Sequence, residues 1–327
     1  MKTPIASDTP FFNAPDPSVW TGRKTAAEEG MQYWYQAIKF AAFNQLTQEK
    51  SPDIGLLGYA CDAGVQRNQG QPGAKAGPQA FRQRLGKLAF HHPLKQIADF
   101  GNVCCPDDAL EKCQQVFAEH IQQLLSHGIF PIAIGGGHDI AYGHFKGIWE
   151  AVRQTAQKKI GILNFDAHFD LRPLRPQSSS GTPFYQILNE FPEHSAYFAL
   201  GIQEASNPPE LFAIAEKHRV GYFTLDACER LPFSEITEAL TTFINSINHL
   251  YITIDLDGFS SAIAPGVSAP NPLGLSPRFV MDTLAHCFQS QKVIACDLAE
   301  LNPSNDRADA TANLAARLVD RIVALKQ

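Results

Sequence analysis

From residue 54 onward, short apolar runs typical of buried strands alternate with longer stretches of helical periodicity. This alternation predicts one α/β domain, residues 51–327, with a mostly parallel sheet of roughly eight strands and helices on both faces. The expected strands are 54–59, 96–100, 130–134, 160–165, 197–202, 221–223, 250–254 and 293–298.

The first 50 residues have a different character. Residues 9–22 are rich in proline and aromatic residues, which indicates an extended arm. Apolar residues then recur at helical spacing over residues 25–46, including Trp34, Ile38 and Leu46. We therefore expect residues 1–50 to form an N-terminal arm and a packing helix.

Composition excludes several classes of function. The net charge of −6 gives no electrostatic reason to bind nucleic acid. The N-terminus has no apolar segment typical of a signal peptide, and no window approaches the ~20 apolar residues of a membrane span. The 7 cysteines have spacings that fit no zinc pattern, so we expect small buried side chains in a reducing, cytoplasmic protein.

The segment Asp166-Ala167-His168-Phe169-Asp170 directly follows one of the predicted strands. Side chains alternate along an extended chain, so Asp166, His168 and Asp170 are expected to share one side. Buried carboxylates are costly unless they are paired or bound to metal. The segment therefore indicates metal ligands rather than core.

Two further segments follow predicted strands in the same way. Gly135-Gly136-Gly137-His138-Asp139 follows the strand at 130–134, and Asp255-Leu256-Asp257 ends the strand at 250–254. Sites in open α/β sheets lie at the carboxyl ends of the strands. The predicted ligand set is therefore His138, Asp166, His168, Asp170, Asp255 and Asp257.

Four aspartates and two histidines form a set rich in hard oxygen ligands, which suits Mn²⁺ better than zinc. Six ligands exceed the need of one catalytic ion, but they suit two ions ~3.5–4 Å apart with bridging carboxylates. Two such ions would acidify a bridging water and supply hydroxide near neutral pH. The predicted chemistry is metal-assisted hydrolysis of a carbon–nitrogen or ester-like bond.

Together, the three segments resemble the signatures of the arginase and agmatinase (ureohydrolase) superfamily. The likeness extends to residues 68–78, which resemble its N-x-G-x-x-G-A…G-P segment, and to residues 297–303, which resemble D-x-x-E-x-N-P. Residues 16–23, Arg172-Pro173, residues 180–184 and residues 201–207 resemble the formimidoylglutamases of histidine degradation. This resemblance implies an arginase-like fold and hydrolysis of N-formimidoyl-L-glutamate to L-glutamate and formamide.

The resemblance also implies a role for each candidate residue and a homo-oligomeric assembly. One manganese would be held by His138, Asp166, Asp170 and Asp255, and the other by His168, Asp166, Asp255 and Asp257. Glu300 would accept hydrogen bonds from the substrate amidinium. Asp257 would also relay a proton to the departing amine.

Substrate contacts are expected from Arg172, Ser180, Asn68, Arg67 and Arg175. The substrate has two carboxylates, and a guanidinium binds a carboxylate bidentately. Arg172 would face the ligands if the extended chain continued past Asp170. Ser180 stands where arginases carry a histidine, which argues against arginase activity.

Three alternatives remain open at this point. The nearest is another amidine or guanidine hydrolase, such as an agmatinase or a guanidino-acid hydrolase. A non-catalytic regulator with the same fold would not need all six ligands and Glu300. A single-zinc, deacetylase-like enzyme would not need the second histidine and the additional carboxylates.

Overall fold

The computed structural model describes residues 10–26, 30–47, 51–156 and 158–327. The strands described are β1 Phe12–Asn13, β2 Lys39–Phe40, β3 Ile54–Ala60, β4 Ile97–Cys104, β5 Phe130–Gly135, β6 Ile160–Phe165, β7 Ser195–Ile202, β8 Gly221–Thr224, β9 His249–Asp255 and β10 Val293–Ala299. The helices are α1 Trp34–Ala37, α2 Ala63–Arg67, α3 Gly77–Leu85, α4 Leu110–Ser126, α5 Ile140–Val152, α6 Pro183–Glu190, α7 Pro209–Lys217, α8 Leu225–Arg230, α9 Phe233–Asn245, α10 Pro277–Gln289 and α11 Ala310–Leu325. Among these helices, none has the length and hydrophobicity of a membrane-spanning segment.

The strands form one sheet in the order β1-β4-β3-β5-β10-β9-β6-β7-β8, and β2 also pairs with β4. The strands β3 to β10 are the eight predicted from sequence, and all pairings among these eight strands are parallel. The short β1 adds an antiparallel pairing at the edge of the sheet. The predicted α/β fold with a mostly parallel sheet is therefore confirmed.

Each face of the sheet carries its own apolar core. Neighbouring strand residues alternate between the two cores, as Leu56 and Leu57 do. Helices α4 to α7 contribute to the core on one face, whereas α3 and α8 to α11 contribute to the core on the other. Parallel strands covered on both faces are expected to be continuously apolar, as these are.

Local sequence signals fix where several helices begin. The Ser276 side chain accepts a hydrogen bond from the Phe279 backbone and caps α10, which starts with Pro277. Thr224 caps α8 in the same way. Proline also occupies the first position of α6 and of α7.

The predicted packing helix over residues 25–46 is wrong in the part that the structure describes. Among the described residues of this range, only Trp34–Ala37 is α-helical, Lys39–Phe40 then forms a short strand on β4, and Phe43–Gln45 forms a single 3-10 turn. The β4 edge offers backbone partners to this segment, and these outweigh its helical periodicity. The predicted arm before residue 10 lies outside the described residues.

The described part of the arm is anchored to the cores of the sheet. The indole of Trp20 is buried and donates a hydrogen bond to Asp99 at 2.9 Å. Arg82 pairs with both oxygens of the same carboxylate at 2.7 Å. The buried Asp99 charge is therefore compensated, as burial requires.

Candidate active site

Four adjacent central strands, β5, β10, β9 and β6, end at the candidate site. His138 follows β5, Glu300 follows β10, Asp255 is the last residue of β9, and Asp166 follows β6. The residues before the two aspartates, Phe165 and Ile254, are register partners. Neighbouring strands thus place the two predicted bridging carboxylates side by side.

The glycine loop requires its glycines where it passes β3. A Cβ on Gly136 would lie 1.6 Å from the carbonyl oxygen of Cys61. The Gly136 and Gly137 amides donate to the carbonyls of Tyr59 and Cys61 at 2.8 and 3.0 Å. This close approach brings His138 into the site at the start of α5.

Three carboxylates surround the imidazole of His138. Its Nδ1 atom lies 3.1 Å from Asp166 Oδ2. It also lies 3.0 Å from Asp170 Oδ2 and 3.0 Å from Asp255 Oδ2. The four side chains offer ligand atoms within 4.8 Å of one another and could hold a metal ion. All four lie at the position that the sequence predicts.

A second group shares Asp166 with the first. His168 Nδ1 lies 3.4 Å from Asp166 Oδ1 and 3.2 Å from Asp257 Oδ2. These three side chains form another set that could hold a metal ion. By distance, Asp255 belongs to the first set. Asp166 belongs to both sets, so it is the carboxylate best placed to bridge two ions.

Unpartnered buried atoms support a fit to metal. His138 Nδ1 and Asp257 Oδ1 are buried without a hydrogen-bond partner among the described residues. Leaving such atoms unpaired is costly, whereas a cation would pair them. Carboxylate oxygen with imidazole nitrogen suits Mn²⁺ and related cations.

Turns, rather than extended strands, bring the side chains of the predicted metal ligands together. Asp166 Oδ1 accepts the His168 backbone N–H at 2.7 Å, and Asp255 Oδ1 accepts that of Asp257 at 2.7 Å. Asp170 has a left-handed backbone with φ 48°. The expectation that an extended chain aligns Asp166, His168 and Asp170 is therefore wrong, although the side chains do meet.

A chain of buried hydrogen bonds runs outward from His138. Its Nε2 lies 2.9 Å from Thr253 Oγ1, and this hydroxyl donates to Asp297 Oδ1 at 2.6 Å. Because the Thr253 proton is used, the hydroxyl accepts from Nε2–H, which leaves Nδ1 free for a cation. The other Asp297 oxygen contacts His144 Nδ1 at 2.6 Å and the Tyr251 hydroxyl.

Sequence reasoning missed Thr253 as a functional candidate. Its position two residues before Asp255 places it on the same face of β9, and this was the available signal.

Glu300 is buried at the wall of the site and has a left-handed backbone with φ 66°. Its Oε1 atom accepts the His138 backbone N–H at 3.0 Å, and its Oε2 atom accepts the hydroxyl of Ser268. Such a backbone costs free energy and persists only where surrounding contacts enforce it. Glu300 is thereby fixed beside the ligand cluster.

The ionisable groups of the cluster strongly shift one another's pKa values. Burial lowers the pKa of His138, but the carboxylates of Asp166, Asp170 and Asp255 outweigh burial and hold that pKa well above its usual value. Burial and then the charge of Asp166 raise the pKa of Asp170 to about 6. Burial and then the charge of Asp255 raise the pKa of Glu300 to about 8.

A cavity of about 270 Å³ opens from the ligand cluster. It is lined by Asp170, Asp255, Asp257 and Glu300, and also by Asn68, Arg172 and Ser180. The Asn68 amide donates to Ser180 Oγ at 3.2 Å. Arg172 also lines a neighbouring cleft of about 380 Å³, so its side chain borders both spaces.

The three candidate arginines differ in their partners. Arg67 contacts Glu111 at 2.7 Å and donates to the Asp108 carbonyl at 2.8 Å, so α4 already engages its guanidinium.

Arg175 is exposed and pairs with Glu210 at 2.6 Å. Arg172 forms no ion pair with any carboxylate in the described part of the chain. Of the three, Arg172 alone borders the inner cavity, and Arg67 and Arg175 line only the outer cleft.

Comparison with known proteins agrees with this arrangement. The model of the Arginase family matches residues 52–324. A formimidoylglutamase of Ralstonia nicotianae is 40% identical over 94% of this chain and 95% of its own length. A formimidoylglutamase of Psychrobacter cryohalolentis is 37% identical over 94% and 96%, respectively.

A solved structure extends the likeness to the fold. The Trypanosoma cruzi formiminoglutamase crystallised with Mn²⁺ superposes with a TM-score of 0.75 at 25% identity, and the match covers 86% of this chain and 95% of that one. With the family match and these near-full-length relatives, the chain belongs to the arginase family.

Proposed function

We propose that this protein hydrolyses N-formimidoyl-L-glutamate to L-glutamate and formamide, with two Mn²⁺ ions per chain. The observation that carries the proposal is the cavity where the carboxylate and imidazole cluster, Glu300 and Arg172 meet, because Arg172 has no ion-pair partner among the described residues. The relatives named formimidoylglutamase match almost the whole chain, which supports this substrate over others of the family.

The metal assignment follows from the donor atoms. His138, Asp166, Asp170 and Asp255 would hold one cation, and His168, Asp166, Asp255 and Asp257 would hold the other. When bound, two such cations lower the pKa of a bound water and polarise the substrate. The remaining chemistry belongs to side chains of the protein.

The reaction breaks the bond between the formimidoyl carbon and the glutamate nitrogen, while the oxygen of water adds to that carbon. Nearby cations would favour the ionised form of Glu300, and its carboxylate would then accept hydrogen bonds from the amidinium and compensate its charge. Asp257 Oδ1, which has no hydrogen-bond partner in the described part of the chain, would pass a proton from water to the departing nitrogen. The products are L-glutamate and formamide.

Arg172 provides the cation that a dicarboxylate substrate needs. Its guanidinium borders both the inner cavity and the outer cleft, and a bidentate pair with a carboxylate is strong and directional. Asn68 and Ser180 would line the path between this arginine and the ligand cluster. Arg175 lies farther out and would release Glu210 to bind a second carboxylate.

A substrate panel tests the proposal. Manganese-loaded protein should hydrolyse formimidoylglutamate with a kcat/KM at least about 100-fold higher than those for arginine, agmatine and guanidinobutyrate, a difference of about 2.7 kcal/mol. Formamide and glutamate should appear in equal amounts. Preference for agmatine or guanidinobutyrate would assign the alternative amidine hydrolase activity, and no turnover of any member would favour a regulator.

A further inference from the structure

Three cysteines converge at the carboxyl edge of the sheet, outside the carboxylate and imidazole cluster. Cys61 follows β3, Cys105 follows β4, and Cys113 lies in the first turn of α4. The preceding residues Ala60 and Cys104 are register partners, so Cys61 and Cys105 leave neighbouring strands together. Their three Sγ atoms lie within 4.8 Å of one another.

The spacing of the sulfur atoms suits a metal ion. Metal–thiolate bonds of about 2.3 Å place bound sulfur atoms roughly 3.8–4.0 Å apart in tetrahedral or trigonal geometry. The observed limit of 4.8 Å therefore requires only small side-chain shifts. All three cysteines are free thiols, so no disulfide competes in this state.

The surroundings favour anionic sulfur at Cys105, whereas hydrogen bonds within the cluster and burial raise the pKa values of Cys61 and Cys113, which keep their protons. Cys61 and Cys113 are buried and Cys105 is half-buried, which gives the cluster a route to solvent. The S–H groups of Cys113 and then of Cys61 donate to the Cys105 sulfur and hold the pKa of Cys105 below its usual range, despite the charges of Asp139 and Asp108.

We propose that Cys61, Cys105 and Cys113 form a binding site for a soft d¹⁰ metal cation, of which Cu⁺ is the best match. Thiolates select soft ions, whereas the carboxylate cluster selects hard ones, so the two sites would take different metals. Binding forms three sulfur–metal bonds and releases to solvent every proton that the thiols still carry. No electron is transferred.

The site adjoins the glycine loop of the active site without sharing a ligand. The Cys61 carbonyl accepts the Gly137 amide at 3.0 Å, one residue before His138. The proposal does not depend on the substrate or on the manganese assignment, because it rests on the three thiols alone.

Anaerobic titration of the reduced, manganese-loaded full chain with Cu⁺, against a competing chelator, tests the site. We expect one Cu⁺ per chain in an all-sulfur environment by X-ray absorption, with manganese content unchanged. Cys105→Ser should weaken Cu⁺ binding more than about 100-fold, which exceeds the usual effect of losing an outer contact. Circular dichroism would verify that this half-buried substitution leaves the fold intact.

Cys104→Ser is the matched control, because Cys104 is the adjacent, equally half-buried thiol and contacts Asn13 instead of the cluster. It should bind Cu⁺ as the unmodified chain does. Bound Cu⁺ should also protect Cys105, but not Cys104, from alkylation detected by mass spectrometry. Equal binding by both variants, displacement of manganese, or oxygen and nitrogen ligands on copper would overturn the proposal.

Discussion

At the scale of single residues, the site depends on two side chains that border the ligand cluster from different sides. Glu300 is buried, and its carboxylate is held by the His138 amide and the Ser268 hydroxyl. Arg172 is exposed at the junction of the cavity and the cleft. The first should act on the amidinium and the second on a carboxylate, so their substitutions should have different signatures.

Glu300→Gln keeps the size of the side chain and removes its charge. We expect kcat/KM for formimidoylglutamate to fall at least about 100-fold, because the amidinium would lose its buried counter-charge. Manganese content, measured by elemental analysis, should not change. A variant with normal turnover would make Glu300 a purely structural contact of the glycine loop.

Arg172→Ala should raise KM and lower kcat/KM for formimidoylglutamate at least about 30-fold, since it removes a charge-assisted, bidentate carboxylate contact. Arg175→Ala is a comparison on the same loop, and its effect should be smaller because Arg175 lines only the outer cleft and would have to release Glu210 before it binds a carboxylate. Steady-state kinetics on a formimidoyl alkylamine separates two causes. Equal losses on this carboxylate-free substrate would indicate damage to the neighbouring Asp170.

At the scale of elements, the outer hydrogen bonds connect one ligand to two strands and a helix. Thr253 on β9 joins His138 to Asp297 on β10, which also contacts His144 on α5. The direction of the Thr253 hydroxyl fixes which ring nitrogen of His138 faces the cluster. We expect loss of the contact between Thr253 and His138 to lower metal affinity more than folding stability.

Thr253→Val removes the hydroxyl with little change of shape. We expect Mn²⁺ affinity at the His138 position to fall about 10–100-fold, the usual effect of losing an outer contact to a ligand. Thr283→Val is a matched control, since Thr283 is equally buried but, among the described residues, its hydroxyl donates to the Phe279 carbonyl of its own helix rather than contacting a ligand. If calorimetric titration gives both variants the same affinity, Thr253 does not position His138.

Elements also show what sequence could and could not predict. Apolar runs identified the eight strands β3 to β10, because buried strands need continuous hydrophobicity. The prediction of a helix over residues 25–46 was wrong, because helical periodicity does not account for the backbone hydrogen-bond partners that the β4 edge supplies.

The spacing of the cysteines in the sequence did not predict the three-cysteine cluster. Cys61, Cys105 and Cys113 meet only through the pairing of β3 with β4 and the start of α4. In contrast, the His and Asp ligands each follow a strand, so the general rule for parallel sheets was enough to bring them together. The turns at Asp166 and Asp255 could not be predicted from the sequence.

At the scale of the whole molecule, the sheet gathers carboxylates whose like charges are unfavourable unless protons or cations compensate them. The pKa of Asp170 is raised to about 6 by burial and the Asp166 charge, and the pKa of Glu300 to about 8 by burial and the Asp255 charge. The metal-free fold therefore holds protons that the unfolded chain has released, so its stability falls as pH rises through these values. The homo-oligomeric assembly expected from the family stays a prediction.

Metal binding should show the opposite pH dependence. Cations must displace protons from Asp170 and from His138, whose pKa is held well above its usual value by its carboxylate neighbours. We expect Mn²⁺ affinity to increase between pH 6 and 8 with measurable proton release. Calorimetry in buffers of different ionisation enthalpy checks this, and a pH-independent affinity without proton release would be inconsistent with the assigned ligands.

The count of manganese ions tests the central claim most directly. Protein reconstituted with Mn²⁺ near pH 8 should contain two ions per chain by elemental analysis, and hydrolysis of formimidoylglutamate should increase with occupancy of both. Asp257→Ala should reduce the count to one and abolish most turnover, because it removes a ligand of the His168 group alone. One ion per chain in the unmodified protein, with undiminished activity, would contradict the two-manganese account.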